Sequence, residues 1–173
     1  MKELLLLRHA KSSWDDASLD DFNRPLARRG QKAAPHIGQE MAAKSWVPDR
    51  VLVSSAMRTR ETWSLVSREL GADAVQARTR KMLYMAPAER ILAIIRDVQP
   101  ETLRLLIVGH NPGLEDLARR LAGPGSDKTA LTRLVSKFPT AALARFEFDG
   151  PWSALDFSQA RLTHFLRPKD IGA

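Results

Sequence analysis

The stretch ELLLLRHAKSSW, residues 3–14, decides how this chain is read. Leu4 to Leu7 form an apolar run that reads as a buried strand, and the run stops abruptly in Arg8-His9. Ala10, Lys11, Ser12 and Ser13 follow, all small or polar. Such a stop is either a solvated strand tip or a strand that delivers an imidazole and a phosphate-binding guanidinium to an active-site floor. The rest of the sequence has to separate the two.

Outward from this stretch, short apolar runs alternate with helical patterns. Arg24-Pro25-Leu26 leads to a helix over roughly 30–45, with Ala34, Ile37 and Met41 on one face. Pro35 suits only the first turn of such a helix, so its start is ill defined. Val51–Val53 is a second strand. Thr59, Trp63, Val66 and Leu70 then recur at helical spacing up to a stop at Gly71. A weak strand is expected around Ala74–Ala77. Ala88, Ile91, Leu92, Ile95 and Val98 share a helix face closed by Pro100. Leu103–Val108 is the strongest strand, and Leu114, Leu117, Ala118 and Leu121 mark the helix after it, ended by Gly123-Pro124-Gly125. Leu131, Leu134, Val135 and Phe138 suggest one more helix. Ala142–Phe148 and Arg161–Leu166 alternate like half-buried strands at a sheet edge. This order argues an α/β fold with a mostly parallel sheet covered on both faces, in one domain spanning residues 1–173.

In such sheets ligands bind beyond the carboxyl ends of the strands. Arg8-His9 follows the first strand there. SSAMRTRET, with Ser54, Ser55, Arg58 and Arg60, follows the second, and GHNPG, with His110 and Asn111, follows the strongest. Any one of these clusters is commonplace: a strand tip, solvated helix arginines, a capping turn. Together they bring two imidazoles, several guanidiniums, hydroxyls and a helix N-terminus with free N–H groups to one edge, which is a site for a dianion. His36, in a helical pattern, and His164, in an alternating strand, do not join it.

Composition removes competing classes. The charge of +7 is spread from Lys2 to Lys169 without a run of basic residues, and there is one tyrosine, so a nucleic-acid partner is not expected. Cysteine is absent, which rules out disulfides and thiolate metal sites and suits a cytoplasmic protein. The opening apolar run is far shorter than the ~7–15 residues of a signal-peptide core, and nothing approaches the ~20 of a membrane span. No H-E-x-x-H, P-loop or nucleophile elbow is present, so neither metal nor cofactor is expected.

Taken in order, RHAK, RPLARRG, SSAMRTRET and GHNPGLEDLA resemble the histidine phosphatase superfamily over residues 4 to about 122, and RHAKSSW with RPL and GHNPGLE most resembles its phosphohistidine phosphatase branch. The resemblance implies a three-layer α/β/α sandwich of phosphoglycerate mutase-like fold. It makes His9 the nucleophile that accepts a phosphoryl group, with Arg8, Arg58 and His110 as its catalytic companions. The oxygens would be held by Arg8, Arg58, His110, Asn111 and Ser55. Ala10 stands where glycine is usual in the first motif, which adds one methyl and leaves the Arg-His pair intact.

Superfamily members that cleave phosphate esters commonly carry a carboxylic acid after the third strand. KMLYMAPAER offers none there: Leu83 to Ala86 lack a carboxylate and Glu89 falls inside the next helix. An alkoxide leaves poorly without a proton, at a cost of ~10²–10⁴-fold, whereas the nitrogen of phosphohistidine leaves readily. The expected activity is thus hydrolysis of phosphohistidine on a protein, releasing inorganic phosphate. The alternatives are a phosphatase for a small phosphate ester, with one of Asp15, Asp16, Asp20 or Asp21 as the acid, and a non-catalytic binder of phosphorylated ligands. Most of these aspartates read as loop surface.

Overall fold

Strand β1 (Lys2–Arg8) sends Leu4 and Leu6 into one hydrophobic core and Leu5 and Leu7 into another. Successive side chains of a strand point to opposite faces, so four leucines in a row require cover on both sides. All four are fully buried. The structure, a computed structural model, describes residues 1–172.

The sheet has six strands in the order β3-β2-β4-β1-β5-β6, adding β2 (Arg50–Ser54), β3 (Arg78–Arg80), β4 (Arg104–Gly109), β5 (Leu143–Phe148) and β6 (Arg161–Leu166). β1 to β4 pair in parallel, β5 is antiparallel to β1, and β6 is antiparallel to β5. Helices α1 (Arg28–Ala43) and α2 (Met57–Leu70) cover the Leu5/Leu7 face through Ile37, Met41, Trp63 and Val66. Helices α3 (Ala88–Arg96), α4 (Gly113–Leu121) and α5 (Lys128–Ser136) cover the Leu4/Leu6 face through Ile91, Leu117 and Leu134. This is the three-layer α/β/α sandwich with a mostly parallel sheet.

Several elements differ from the sequence reading. The third strand is not Ala74–Ala77 but Arg78–Arg80, a three-residue edge strand with every side chain exposed. It pairs through its backbone alone, so no apolar pattern marks it, while Ala74, Val75 and Ala77 pack against the edge of the core. Pro35 sits well inside α1 and removes the N–H that Gln31 would have bonded, at an exposed residue where water can serve. α3 ends at Arg96, leaving Val98 buried just past it, and α4 ends at Leu121, short of the glycines. Val135 faces solvent while Ala130 and Leu134 make the core contact of α5. Of the two C-terminal strands, β6 alone lies at a sheet edge; β5 is paired on both sides and nearly wholly buried.

Candidate active site

β1 and β4 lie side by side with Arg8 opposite Gly109. The chain leaves β1 for α1 on one face of the sheet and leaves β4 for α4 on the other. Where neighbouring strands send their connections to opposite faces, a crevice opens at their carboxyl ends. His9 and His110 are the first residues past these two strands, and their rings face each other with centroids 5.4 Å apart.

The backbone around His9 is held on every side. Its N–H bonds the Gly109 carbonyl at 3.1 Å, its carbonyl accepts from the Ala141 N–H at 3.0 Å, and the Ala10 N–H bonds Thr62 Oγ1 at 3.0 Å. Its ring Nδ1 lies 2.7 Å from the Ala10 carbonyl oxygen. A carbonyl can only accept, so Nδ1 carries the proton and Nε2 keeps a lone pair. Burial pushes the imidazole down to a pKa of about 3, and the guanidiniums of Arg58, Arg8 and Arg24 push the same way, so the ring is neutral at neutral pH. His110 is likewise lowered to about 3, by burial first and then by His9 and Arg58.

The other expected residues gather here with differing engagement. Arg8 donates from Nη1 to the Phe138 carbonyl at 3.0 Å, and its Nε is buried without a partner. Arg58, 2% exposed, also has a buried, unpartnered Nε. The hydroxyl that meets an imidazole is that of Ser54, 2.7 Å from His110 Nε2, whereas Ser55 offers its carbonyl to Arg60 Nε at 3.0 Å. Asn111 donates to the Phe138 carbonyl at 3.0 Å and accepts from the Glu115 N–H at 3.1 Å, so its side chain already braces the turn. The free N–H groups expected at the start of α4 are largely taken. Leu114 and Asp116 bond the His110 and Pro112 carbonyls and Glu115 bonds Asn111, because the tight turn folds its own acceptors back onto the helix. His36 and His164 lie away from the crevice, His164 edge-on to Trp46.

One aspartate departs from its reading as loop surface. Asp21 opens a 3-10 turn, Asp21–Asn23, and clasps Arg58: its carbonyl accepts from Nη1 at 2.7 Å and its Oδ2 from Nη2 at 2.9 Å. Tyr84 donates to Oδ2 at 2.5 Å, and the buried Arg24 reaches Oδ1 at 2.9 Å. Partial burial pushes the carboxyl up, but the hydrogen bonds from Tyr84, Arg24 and Arg58 outweigh it and hold it well below the usual carboxylate range. Asp20 caps the same turn, Asp16 bonds Ser18, and Glu89 pairs with Arg120. Sequence reasoning placed Ser54 in the strand-end cluster but assigned the phosphate contact to Ser55, missed Tyr84 as a site group and gave Arg24 no task. For Arg24 the RPLARRG motif was the available signal; a lone tyrosine in a loop carried none.

A neutral imidazole with an unshared lone pair, beside the buried guanidinium of Arg58, the half-buried one of Arg8 and a second imidazole, is equipped for phosphoryl transfer. Among the described residues no His, Asp or Glu cluster suits a metal ion. The comparisons agree with this class. The description "Histidine phosphatase superfamily (branch 1)" matches residues 4–84. An uncharacterised protein of Mycobacterium leprae is 33% identical over 94% of this chain and 100% of its own length. The solved structure of a provisionally named phosphohistidine phosphatase SixA from Nakamurella multipartitia is 28% identical, covers 96% of each chain and superposes with a TM-score of 0.83. Its counterpart from Agrobacterium tumefaciens, also provisionally named, is 30% identical over 96% of this chain and 98% of that one, with a TM-score of 0.79. This chain belongs to the histidine phosphatase superfamily, with its likeness lying in the phosphohistidine phosphatase branch.

Proposed function

We propose that this protein removes phosphate from phosphohistidine on another protein, without a metal, through a covalent intermediate on His9. The observation that carries the reading is the His9–Ala10 hydrogen bond, which leaves Nε2 as the free nucleophile of a neutral ring. Nε2 attacks phosphorus in line, the bond from phosphorus to the substrate nitrogen breaks, and the leaving ring takes that electron pair. A substrate imidazole protonated on its other nitrogen departs neutral, so no acid is needed. Water then attacks phosphorus, the bond to His9 breaks and inorganic phosphate leaves.

Arg8 and Arg58 bear the charge of the transferring group, and their unpartnered Nε atoms are donors for its oxygens. If Ser54 donates its hydroxyl proton to His110 Nε2, the ring proton sits on Nδ1, a further buried donor without a partner. Asn111 and Ser55 complete the set as braces of the pocket wall. The absence of cysteine suits a cytoplasmic, reducing setting.

A second reading, a phosphatase for a small ester with Asp21 as acid, draws on the placement of that carboxylate at Arg58. Its depressed pKa counts against a proton donor. One experiment separates the two. Phosphohistidine peptide and aryl phosphate should be hydrolysed well and phosphoserine or sugar phosphates poorly. His9→Ala should abolish turnover and the acid-labile phosphoryl-enzyme trapped from wild type. Substantial activity in His9→Ala would refute the covalent route, and fast alkyl phosphate hydrolysis would favour the ester reading.

A further inference from the structure

Beside the crevice lies a second concavity of about 750 Å³ that the chemistry above does not use. Its walls carry six cations, Lys11, Arg29, Lys32, Lys137, Arg167 and Lys169, together with His36. Among the described residues that line it, none carries a carboxylate side chain. Arg167 is neutralised by Asp170 at 2.8 Å, a carboxylate that also meets Arg133 at 3.5 Å. The other five form no ion pair among the described residues. Five unneutralised cations around one hollow repel each other and are held together only by the fold, so an anion entering it is strongly favoured.

The hollow is lined by residues that adjoin those of the crevice along the chain. Lys11 stands two residues past His9, and its backbone is pinned by the Ala27 N–H at 2.8 Å and by the close passage of Gly30. Lys137, Pro139 and Thr140 flank Phe138, whose carbonyl receives both Arg8 and Asn111. A protein substrate whose phosphoryl group sits at His9 therefore has this basic hollow within reach of its flanking residues.

Resting on the proposed function, we infer that the hollow docks an acidic segment of the phosphoprotein, several carboxylates near the phosphohistidine in space or sequence. Two observations favour a protein over a small polyphosphate. Four of the six cations are lysines, hydrated point charges on flexible stems that adapt to a varied run of carboxylates, whereas a fixed phosphate calls for planar arginine forks. The crevice rim also exposes large apolar side chains that a small polyanion could not use. Trp14 is 70% exposed and stacked on Arg24, and Met85 is 47% exposed beside Arg58.

The test uses the charge-reversed variant Lys32→Glu/Lys137→Glu, which leaves the catalytic groups intact, and two phosphohistidine peptides differing only in an acidic or a neutral flank. Wild type should favour the acidic flank in kcat/KM by roughly tenfold, and the variant should lose that preference while its aryl phosphate turnover is unchanged. The same acidic peptide without phosphate should bind wild type in fluorescence anisotropy and not the variant. Equal turnover of the two peptides by wild type, or equal binding of the unphosphorylated peptide by variant and wild type, would overturn the docking role. So would tripolyphosphate hydrolysis that depends on these lysines while the acidic flank gives no advantage, which would assign the hollow to a small polyphosphate. If neither phosphohistidine peptide is hydrolysed but the unphosphorylated one binds through the lysines, the docking site stands and the proposed reaction falls. A variant with reduced aryl phosphate turnover is replaced by Lys32→Ala/Lys137→Ala, judged by the same criteria.

Discussion

His9 and His110 are both held neutral by burial against an unfolded value near 6.5, and both fall to about 3 in the fold. Between these values the unfolded chain binds protons that the folded one refuses, so stability rises with pH across that window. Stability should therefore be full above about pH 6.5 and decline progressively as pH falls toward 3. Urea midpoints at a series of pH values should show this, and His9→Ala should flatten part of the slope. An unchanged slope in that variant would mean that His9 is not held neutral. With His9 as the proposed nucleophile, the same depression should let catalysis extend into mildly acidic solution, because the ring keeps its lone pair there.

Among the elements, the loop from β1 to α1 governs access to Arg58. Asp21 occupies two of that guanidinium's N–H groups with an ionised carboxylate and a carbonyl, the positions a phosphate oxygen would compete for. Asp21→Asn removes the charge and keeps the shape, so inorganic phosphate or tungstate should inhibit several-fold more tightly while kcat on aryl phosphate changes little. Weaker inhibition in that variant would show that Asp21 chiefly orients Arg58, and loss of alkyl phosphate hydrolysis alone would make it the acid. The same loop is anchored where α1 passes Lys11: a Cβ on Gly30 would lie 2.2 Å from the Lys11 carbonyl oxygen. Backbone cannot yield as a flexible side chain does, so Gly30→Ala should cost about 1–3 kcal/mol and lower kcat by displacing the segment after His9. Thermal unfolding and aryl phosphate kinetics on the purified variant check both effects.

For the molecule as a whole, every group proposed to meet the transferring phosphoryl group is an imidazole or a guanidinium. EDTA should leave aryl phosphate turnover unchanged, and tungstate should inhibit competitively at the crevice. Activity lost to EDTA and restored by added metal would overturn the metal-free reading. No helix among the described residues is long and apolar enough to cross a membrane.

The three strand ends were legible because each signal is local. An apolar run buried on both faces reads as a strand whatever surrounds it, and the polar residues that follow fall at the carboxyl edge by the geometry of parallel sheets. Leu4–Leu7 with Arg8-His9, Val51–Val53 with Ser54 and Arg58, and the run before His110 all meet that condition. What could not be read concerns partners far apart in the chain. Arg78–Arg80 is a strand only because β2 offers it a backbone edge. Asp21 and Tyr84 stand 63 residues apart, and neither suggests the other until the fold sets both against Arg58. The basic hollow draws its lysines and arginines from the segment after β1, α1, the turn before β5 and the C-terminal turn, which in sequence are a diffuse excess of positive charge. Periodicity and burial act over a few residues and so are written in the order of the chain, whereas the pairing of charges depends on distances that only packing sets.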